Sequence, residues 1–208
     1  MSSSSLMRWS GLAASVGGAL FIVLNVAEFL LIGNQAYSEA AATGAWILVQ
    51  GSYILAAVLI SLGLVGLYLC QARQAGTLGL IGFAVTFLGG MMAAGSTWSE
   101  TFFGPWLAQA APELLDADPT GSVIAGVLVS YVLFALGWFL FGLVSLRAGV
   151  LPRGAAILMM IGALLFVVFS VMELPFTGVL YGAAVAWMGY ALWSGAAEAP
   201  SLIAEAAM

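Results

Sequence analysis

The sequence predicts an all-α integral membrane protein, a single bundle of six transmembrane helices with both termini in the cytoplasm. Of its 208 residues, 63% are hydrophobic and 6% are charged, whereas soluble domains carry about 25% charged residues. The hydrophobic residues form six continuous runs of about 20, the length that a helix needs to cross a bilayer. A transmembrane β-barrel would show alternating apolar and polar residues instead. Lipid is therefore the expected solvent for most of the surface.

The six predicted spans follow one another with one long interruption. They cover about 11–32, 46–70, 77–97, 123–146, 155–172 and 176–193. The first run is longer than the 7–15 residues of a signal-peptide core, so it is interpreted as a true span. The connection 98–122 is predicted to be an outer loop, in which Pro105 to Leu115 forms a short helix at the membrane interface. Residues 194–208 form the predicted tail.

The distribution of charge predicts the orientation. The four basic residues are Arg8, Arg73, Arg147 and Arg153. Basic residues concentrate in cytoplasmic loops, and an inner N-terminus with six spans puts all four on that side. Of the nine acidic residues, only Glu198 and Glu205 then lie inside. The outer face is either specifically acidic, or acidic only because arginine is kept away from it.

Glycines are concentrated on the second and third predicted spans. They are Gly63, Gly66, Gly79, Gly82, Gly89, Gly90 and Gly95. Small residues allow membrane helices to approach closely. We therefore expect these two spans to pack tightly inside the bundle, with dimerisation through such a face as the alternative.

Composition excludes several kinds of chemistry. The chain has no histidine and its four basic residues are all arginine, so it lacks His-ligated haem or metal sites and a lysine Schiff base. The single Cys70 forms no internal disulfide. A net charge of -5 argues against nucleic acid as a partner. No cofactor and no metal are expected.

Glu28 is the first candidate for function, because an ionisable group inside a membrane span is costly to bury. Asn25 precedes it by three residues and shares its helix face, so the amide is expected to hydrogen-bond the carboxyl. Such a carboxyl would bind a cation or amine or relay a proton. The alternative is a structural carboxyl that holds helices together near the headgroups.

Other polar and aromatic residues lie near the outer ends of the predicted spans. The remaining candidates for a ligand site are Gln50, Tyr53, Trp98, Glu100, Tyr131, Glu173 and Tyr181. If the helices bring them together with Glu28, they would form an acidic, aromatic pocket suited to a cationic or amphipathic molecule. Tyrosine and tryptophan at this depth also serve as plain interfacial anchors.

Two pairs of segments carry a family resemblance. Leu62-Gly-Leu-Val-Gly-Leu-Tyr68 is followed by Gly79-Leu-Ile-Gly-Phe83, and Gly137-Trp-Phe-Leu-Phe-Gly142 by Leu146-Arg-Ala-Gly-Val-Leu-Pro-Arg153. From about the second span to the sixth, the chain resembles small polytopic bacterial membrane proteins classed as a domain of unknown function. The resemblance implies a location in the bacterial inner membrane, and it implies no activity or functional residue.

Three functions are compatible with these features. The favoured one is binding or transport of a small cationic or amphipathic ligand in an outward-facing acidic pocket. The alternative is a structural or accessory subunit that packs on a membrane-protein partner or forms a homo-oligomer. An intramembrane enzyme would need two carboxyls about 5–10 Å apart, and it is disfavoured because no nucleophile or metal set accompanies them.

Overall fold

The computed structural model describes residues 3–33, 35–172, 176 and 178–197, and this part of the chain is entirely helical outside its turns. Its helices are α1 (Ser3–Leu31), α2 (Tyr37–Ala41), α3 (Gly44–Leu69), α4 (Ala72–Ala110), α5 (Pro112–Leu115), α6 (Ser122–Ala148), α7 (Arg153–Val171) and α8 (Val179–Trp193). The predicted all-α class is confirmed.

Four of these helices, α1, α3, α4 and α6, are long and apolar enough to cross a membrane, and α7 and α8 are shorter apolar helices. The 26 residues of α3 extend over about 39 Å at 1.5 Å per residue, more than the roughly 30 Å of a hydrocarbon core. Large apolar side chains such as Leu30 and Leu48 are exposed on the outside of the bundle. These features indicate a multi-pass membrane protein.

The long helices and the two shorter ones form a closed ring in chain order. Each of α1, α3, α4, α6, α7 and α8 packs on its neighbours along the chain, and α8 returns to pack on α1. The centre of the ring is filled by large side chains that include Trp138, Phe141, Met159 and Tyr181. Because short connections join most neighbours, adjacent helices run in opposite directions.

Helix α4 is longer than the predicted third span. It continues through residues 98–110, of which 98–104 were predicted to be loop and 105–110 to be part of a separate interfacial helix, so that only α5 remains separate. The polar residues there are compatible with a helix, because Thr97 and Thr101 donate hydrogen bonds to carbonyls four residues earlier. Near its start, α4 is interrupted at Gly76, whose φ of 56° favours glycine.

The expected close packing of glycines is found at some positions and not at others. A Cβ added at Gly63 would lie 2.5 Å from Ala14 Cβ on α1, and one added at Gly89 would lie 2.6 Å from backbone of α6. At Gly90 and Gly95 an added Cβ would meet nothing within 4 Å. Gly63 and Gly89 therefore set the separation of α3 and α4 from their neighbours, and Gly90 and Gly95 do not.

The two ends of the bundle differ in charge. At one end, here named the arginine end, α1, α4 and α7 begin and α3, α6 and α8 finish. This end carries Arg8, Arg73, Arg147 and Arg153. The opposite end, named the acidic end, is where α1 and α4 finish and α3 and α6 begin. The acidic residues in the described part of the chain lie at this end, in the last or first turns of these helices or in the connections between them.

Two short helices pack at the acidic end, against α3 and α4. Helices α2 and α5 contact each other and α4, and we name this unit the α2–α5 cap. Asp116 accepts two hydrogen bonds from Ser38, one from the backbone N–H at 2.9 Å and one from the hydroxyl at 2.6 Å. The ring of Tyr37 packs edge-on against Trp46 of α3. The hydrogen bonds between Ser38 and Asp116 hold the two parts of the cap together, and the contact between Tyr37 and Trp46 fastens the cap to α3.

Candidate functional site

Glu28 and Tyr53 form a hydrogen bond between two neighbouring helices. Glu28 lies in the last turn of α1 and Tyr53 in the third turn of α3. Since the two helices run in opposite directions, the residues reach the same level of the bundle. The hydroxyl of Tyr53 donates to Glu28 Oε2 at 2.9 Å. The half-buried carboxyl is thus held in a defined position.

Glu100 reaches the same end from α4. The hydroxyl of Ser96 donates to Glu100 Oε1 at 3.0 Å. The backbone carbonyl of Glu100 accepts a hydrogen bond at 3.0 Å from Nε1 of Trp46, a buried residue at the start of α3. Residues that were predicted to be loop are therefore helical and tied to α3, which positions the Glu100 side chain.

The two carboxyls lie at the same end of the bundle, on helices α1 and α4, which both pack on α3 and, within the described ranges, not on each other. Glu28 and Glu100 lie close enough to interact electrostatically, and both act on the phenol of Tyr131 from α6. We name Glu28, Tyr53, Glu100 and Tyr131 the carboxyl cluster. Its members come from α1, α3, α4 and α6 and are four of the predicted candidates, and the bond from Tyr53 to Glu28 links α1 to α3.

The electrostatic effect of the carboxyl cluster extends to the α2–α5 cap. Tyr37 of α2 lies outside the spanning helices. Burial raises the pKa of its phenol, and the nearby Glu100 carboxylate raises that pKa further, because a second negative charge is unfavourable there. At the exposed edge of the cap, the two hydrogen bonds from Ser38 hold the pKa of Asp116 below its usual value.

Asn25 does not bind Glu28, and that prediction is corrected. Its Nδ2 donates to the carbonyl of Phe21 at 3.0 Å, and its Oδ1 accepts from the N–H of Gly178 at 3.0 Å. Asn25 is buried because its side chain is turned toward the start of α8, whereas Glu28 faces α3. The amide joins two helices and leaves Tyr53 as the hydrogen-bond partner of Glu28.

The other predicted candidates are dispersed. Trp98 is 51% exposed and packs against Phe102 and Phe103 on the outside of α4, as an interfacial anchor would. Gln50 is buried on α3, one turn before Tyr53. Glu173 lies outside the described residues. The structure thus separates Trp98 from the cluster.

A cavity of about 70 Å³ lies between the helices of the ring and is partly open, since the exposed Phe87 is one of its wall residues. Its wall residues are Phe21, Tyr53, Ala57, Ile60, Ser61, Leu64, Thr86, Phe87, Gly90, Ala93, Ala94, Thr97, Phe134, Trp138 and Tyr181. They come from α1, α3, α4, α6 and α8. The predicted candidate Tyr181 is buried in this wall, so it contributes its ring to the interior.

Aromatic rings form much of the wall by packing edge-to-face. Phe21 contacts Tyr53 and Tyr181 at centroid distances of 5.2 and 5.3 Å, and Tyr181 contacts Phe134 at 5.1 Å. Sequence reasoning missed Phe21 and Phe134, because an aromatic residue in an apolar run is equally consistent with facing lipid. Their role depends on which helices are neighbours.

Comparison with protein-family profiles, with curated proteins and with solved structures gave no match to this chain. Within the described ranges, no group of three or more His, Cys, Asp or Glu residues could hold a metal ion. The site consists of a pair of carboxyls, two phenols and an adjoining, mostly apolar cavity.

Proposed function

We propose that the protein is a six-span protein of the bacterial inner membrane, with cytoplasmic termini, that binds or transports a small organic cation at the carboxyl cluster. The observation that carries the proposal is that Glu28, fixed by its hydrogen bond from Tyr53, and Glu100 of another helix lie within electrostatic range of each other at the end of the bundle opposite the arginines. The bacterial location rests on the family resemblance, and the orientation rests on the preference of arginine for the cytoplasm.

Electrostatics favours a cation at this cluster. The two carboxyls repel each other when both are ionised, and a cation between them would reverse the sign of that interaction. The arginine on α1, Arg8, precedes Glu28 by 20 residues, or about 30 Å along the helix, and is too far away to neutralise it. The rings of Tyr53 and Tyr131 would add cation–π attraction. An ammonium ion therefore suits the charge and the aromatic rings of this site better than an anion does.

Binding of n-butylammonium to the purified protein in lipid nanodiscs tests the proposal. Isothermal titration calorimetry should detect saturable binding of this cation and none of n-butanol, its uncharged analogue. A hydrogen bond to a charged group contributes about 1.5–3 kcal/mol. Glu28→Gln and Glu100→Gln should each therefore weaken binding by about 10- to 150-fold.

Glu39→Gln is the matched control, because Glu39 is an exposed carboxyl of α2 in the same cap region. It should bind n-butylammonium as the wild type does. Equal losses of affinity in Glu39→Gln and Glu28→Gln would show that general surface charge, and not a specific site, causes the binding. Absence of saturable binding to the wild type would refute the proposal.

A role as an accessory subunit is the second candidate, and the start of α6 favours it. Residues 121–129 are all exposed, so more than two turns of an apolar helix pack against little else in the described chain. A partner helix, or a second copy, would cover them. Native mass spectrometry of the protein extracted from its membrane tests this role, and a bare monomer would count against it.

A further inference from the structure

The cavity and the carboxyl cluster share one residue, Tyr53. Its hydroxyl is engaged with Glu28, and its ring forms part of the cavity wall. A polar site and an apolar site are thus adjacent, with the phenol ring between them. A molecule with a cationic head at Glu28 can place its attached carbon chain against the cavity side of Tyr53.

The walls of the cavity are mostly apolar, although several of their residues carry polar atoms. Thr86 donates its hydroxyl to the carbonyl of Gly82 at 2.6 Å, and Thr97 donates to that of Ala93 at 3.1 Å. Both hydroxyls are committed to their own helix. The surface that remains is mostly ring edges and faces, methyl groups and aliphatic side chains, which favour contact with carbon. Ser61, Tyr181 and Trp138 add polar atoms to the wall residues, and the buried Nε1 of Trp138 has no hydrogen-bond partner in the described part of the chain.

The size of the cavity limits the group that it accepts. Its volume of about 70 Å³ is roughly half that of the 150 Å³ cavity known to bind benzene. A chain of a few methylene carbons fits such a space better than a substituted or fused ring. The alanines at 57, 93 and 94 leave room on the wall formed by α3 and α4.

We propose that this cavity is the subsite for the apolar part of the ligand, and that the ligand class is primary ammonium ions carrying a short unbranched alkyl chain. The inference rests on the proposed cation binding at the carboxyl cluster, and it adds the chemistry of the second half of the ligand. The ammonium group lies at Glu28 and Glu100, and the chain occupies the space between Phe21, Tyr181 and α4.

A series of alkylammonium ions tests the subsite. Ethyl-, butyl-, hexyl- and octylammonium are titrated into the protein in nanodiscs, with empty nanodiscs to correct for partition into lipid. Each buried methylene should tighten binding by about fourfold. The gain should stop once the chain fills the cavity, so the longest chains should bind no better than those of intermediate length.

Two glycines of α4 provide a matched pair of variants. Gly90 lines the cavity, Gly95 does not, and an added Cβ meets nothing within 4 Å at either position. Gly90→Leu should fill the subsite, abolish the gain with chain length and leave ethylammonium affinity within about twofold of the wild type. Gly95→Leu should retain the whole wild-type series. Ala94→Leu is a second filling variant in case Gly90→Leu does not fold.

Each outcome separates the subsite from the cation site. An unchanged chain-length series in folded Gly90→Leu and Ala94→Leu overturns the subsite, while ethylammonium binding that is lost in Glu28→Gln still supports the proposed function. A gain that continues undiminished to octylammonium in all variants also overturns the subsite. Failure of every alkylammonium ion to bind the wild type overturns both proposals.

Discussion

Replacing Tyr53 by phenylalanine removes one hydroxyl from the centre of the carboxyl cluster and leaves the ring in place. The lost interaction is the 2.9 Å hydrogen bond to Glu28 Oε2. The ring keeps its edge contact with Phe21 at 5.2 Å, so little packing is lost. A buried acceptor left without its partner costs about 1–3 kcal/mol, whereas interhelical hydrogen bonds in membranes average about 0.6 kcal/mol. We therefore expect Tyr53→Phe to lower the free energy of unfolding by about 1–2 kcal/mol.

The measurement is a double-mutant cycle of Tyr53→Phe and Glu28→Leu, which leaves no acceptor at position 28, with unfolding followed by tryptophan fluorescence in mixed detergent micelles. The two changes should be non-additive by about 0.5–1.5 kcal/mol, because each removes part of the same interaction. Tyr190→Phe is the control, since Tyr190 is 57% exposed on α8, and it should leave the unfolding free energy unchanged. Additive effects of the two substitutions would refute a direct hydrogen bond between Tyr53 and Glu28.

Two further predictions concern the cap and the helix contacts. The pKa of Asp116 in the folded protein is held low by Ser38. The stabilising contribution of this carboxylate should therefore be complete above about pH 4, its pKa in the unfolded chain, and should disappear as the pH falls through the lower folded pKa. The unfolding midpoints of the wild type and Asp116→Asn should converge in acid, and a constant difference between them would contradict this prediction. Gly63→Ala would put a Cβ 2.5 Å from Ala14 Cβ and should lower the free energy of unfolding by about 1–3 kcal/mol. Gly95→Ala has open space around the added Cβ, so it should be neutral or stabilising by up to about 1 kcal/mol. Equal effects of the two alanines in chemical unfolding would show that α1 and α3 are not in close contact at Gly63.

Hydropathy was sufficient to predict the long helices, but it predicted their ends less well. Continuous apolar runs leave the backbone no hydrogen-bond partners in lipid except its own, so helices follow directly from composition. The end of α4 was underestimated because Ser96, Thr97 and Glu100 are typical of a loop in sequence. In the structure, their side chains bond within the helix, and this local compensation does not appear in a hydropathy profile.

The residues of the carboxyl cluster illustrate what the sequence determined alone. An acidic residue in an apolar run is conspicuous whatever its neighbours are, because its burial is costly, and Glu28 was recognised for that reason. The periodicity of the helix also brought Asn25 close to Glu28 on α1. It did not decide that Asn25 faces α8 and Glu28 faces α3, because the rotation of a helix is set by the neighbours on which it packs.

Tertiary structure decided which of the acidic and aromatic residues meet. Glu28 and Glu100 are 72 positions apart in sequence, and they lie within electrostatic range of each other because α1 and α4 both pack on α3 within a closed ring. The cavity beside them arises where small residues such as Gly90 leave space that large rings on other helices do not fill. Volume left between helices is a property of several segments at once, so no single stretch of sequence encodes it.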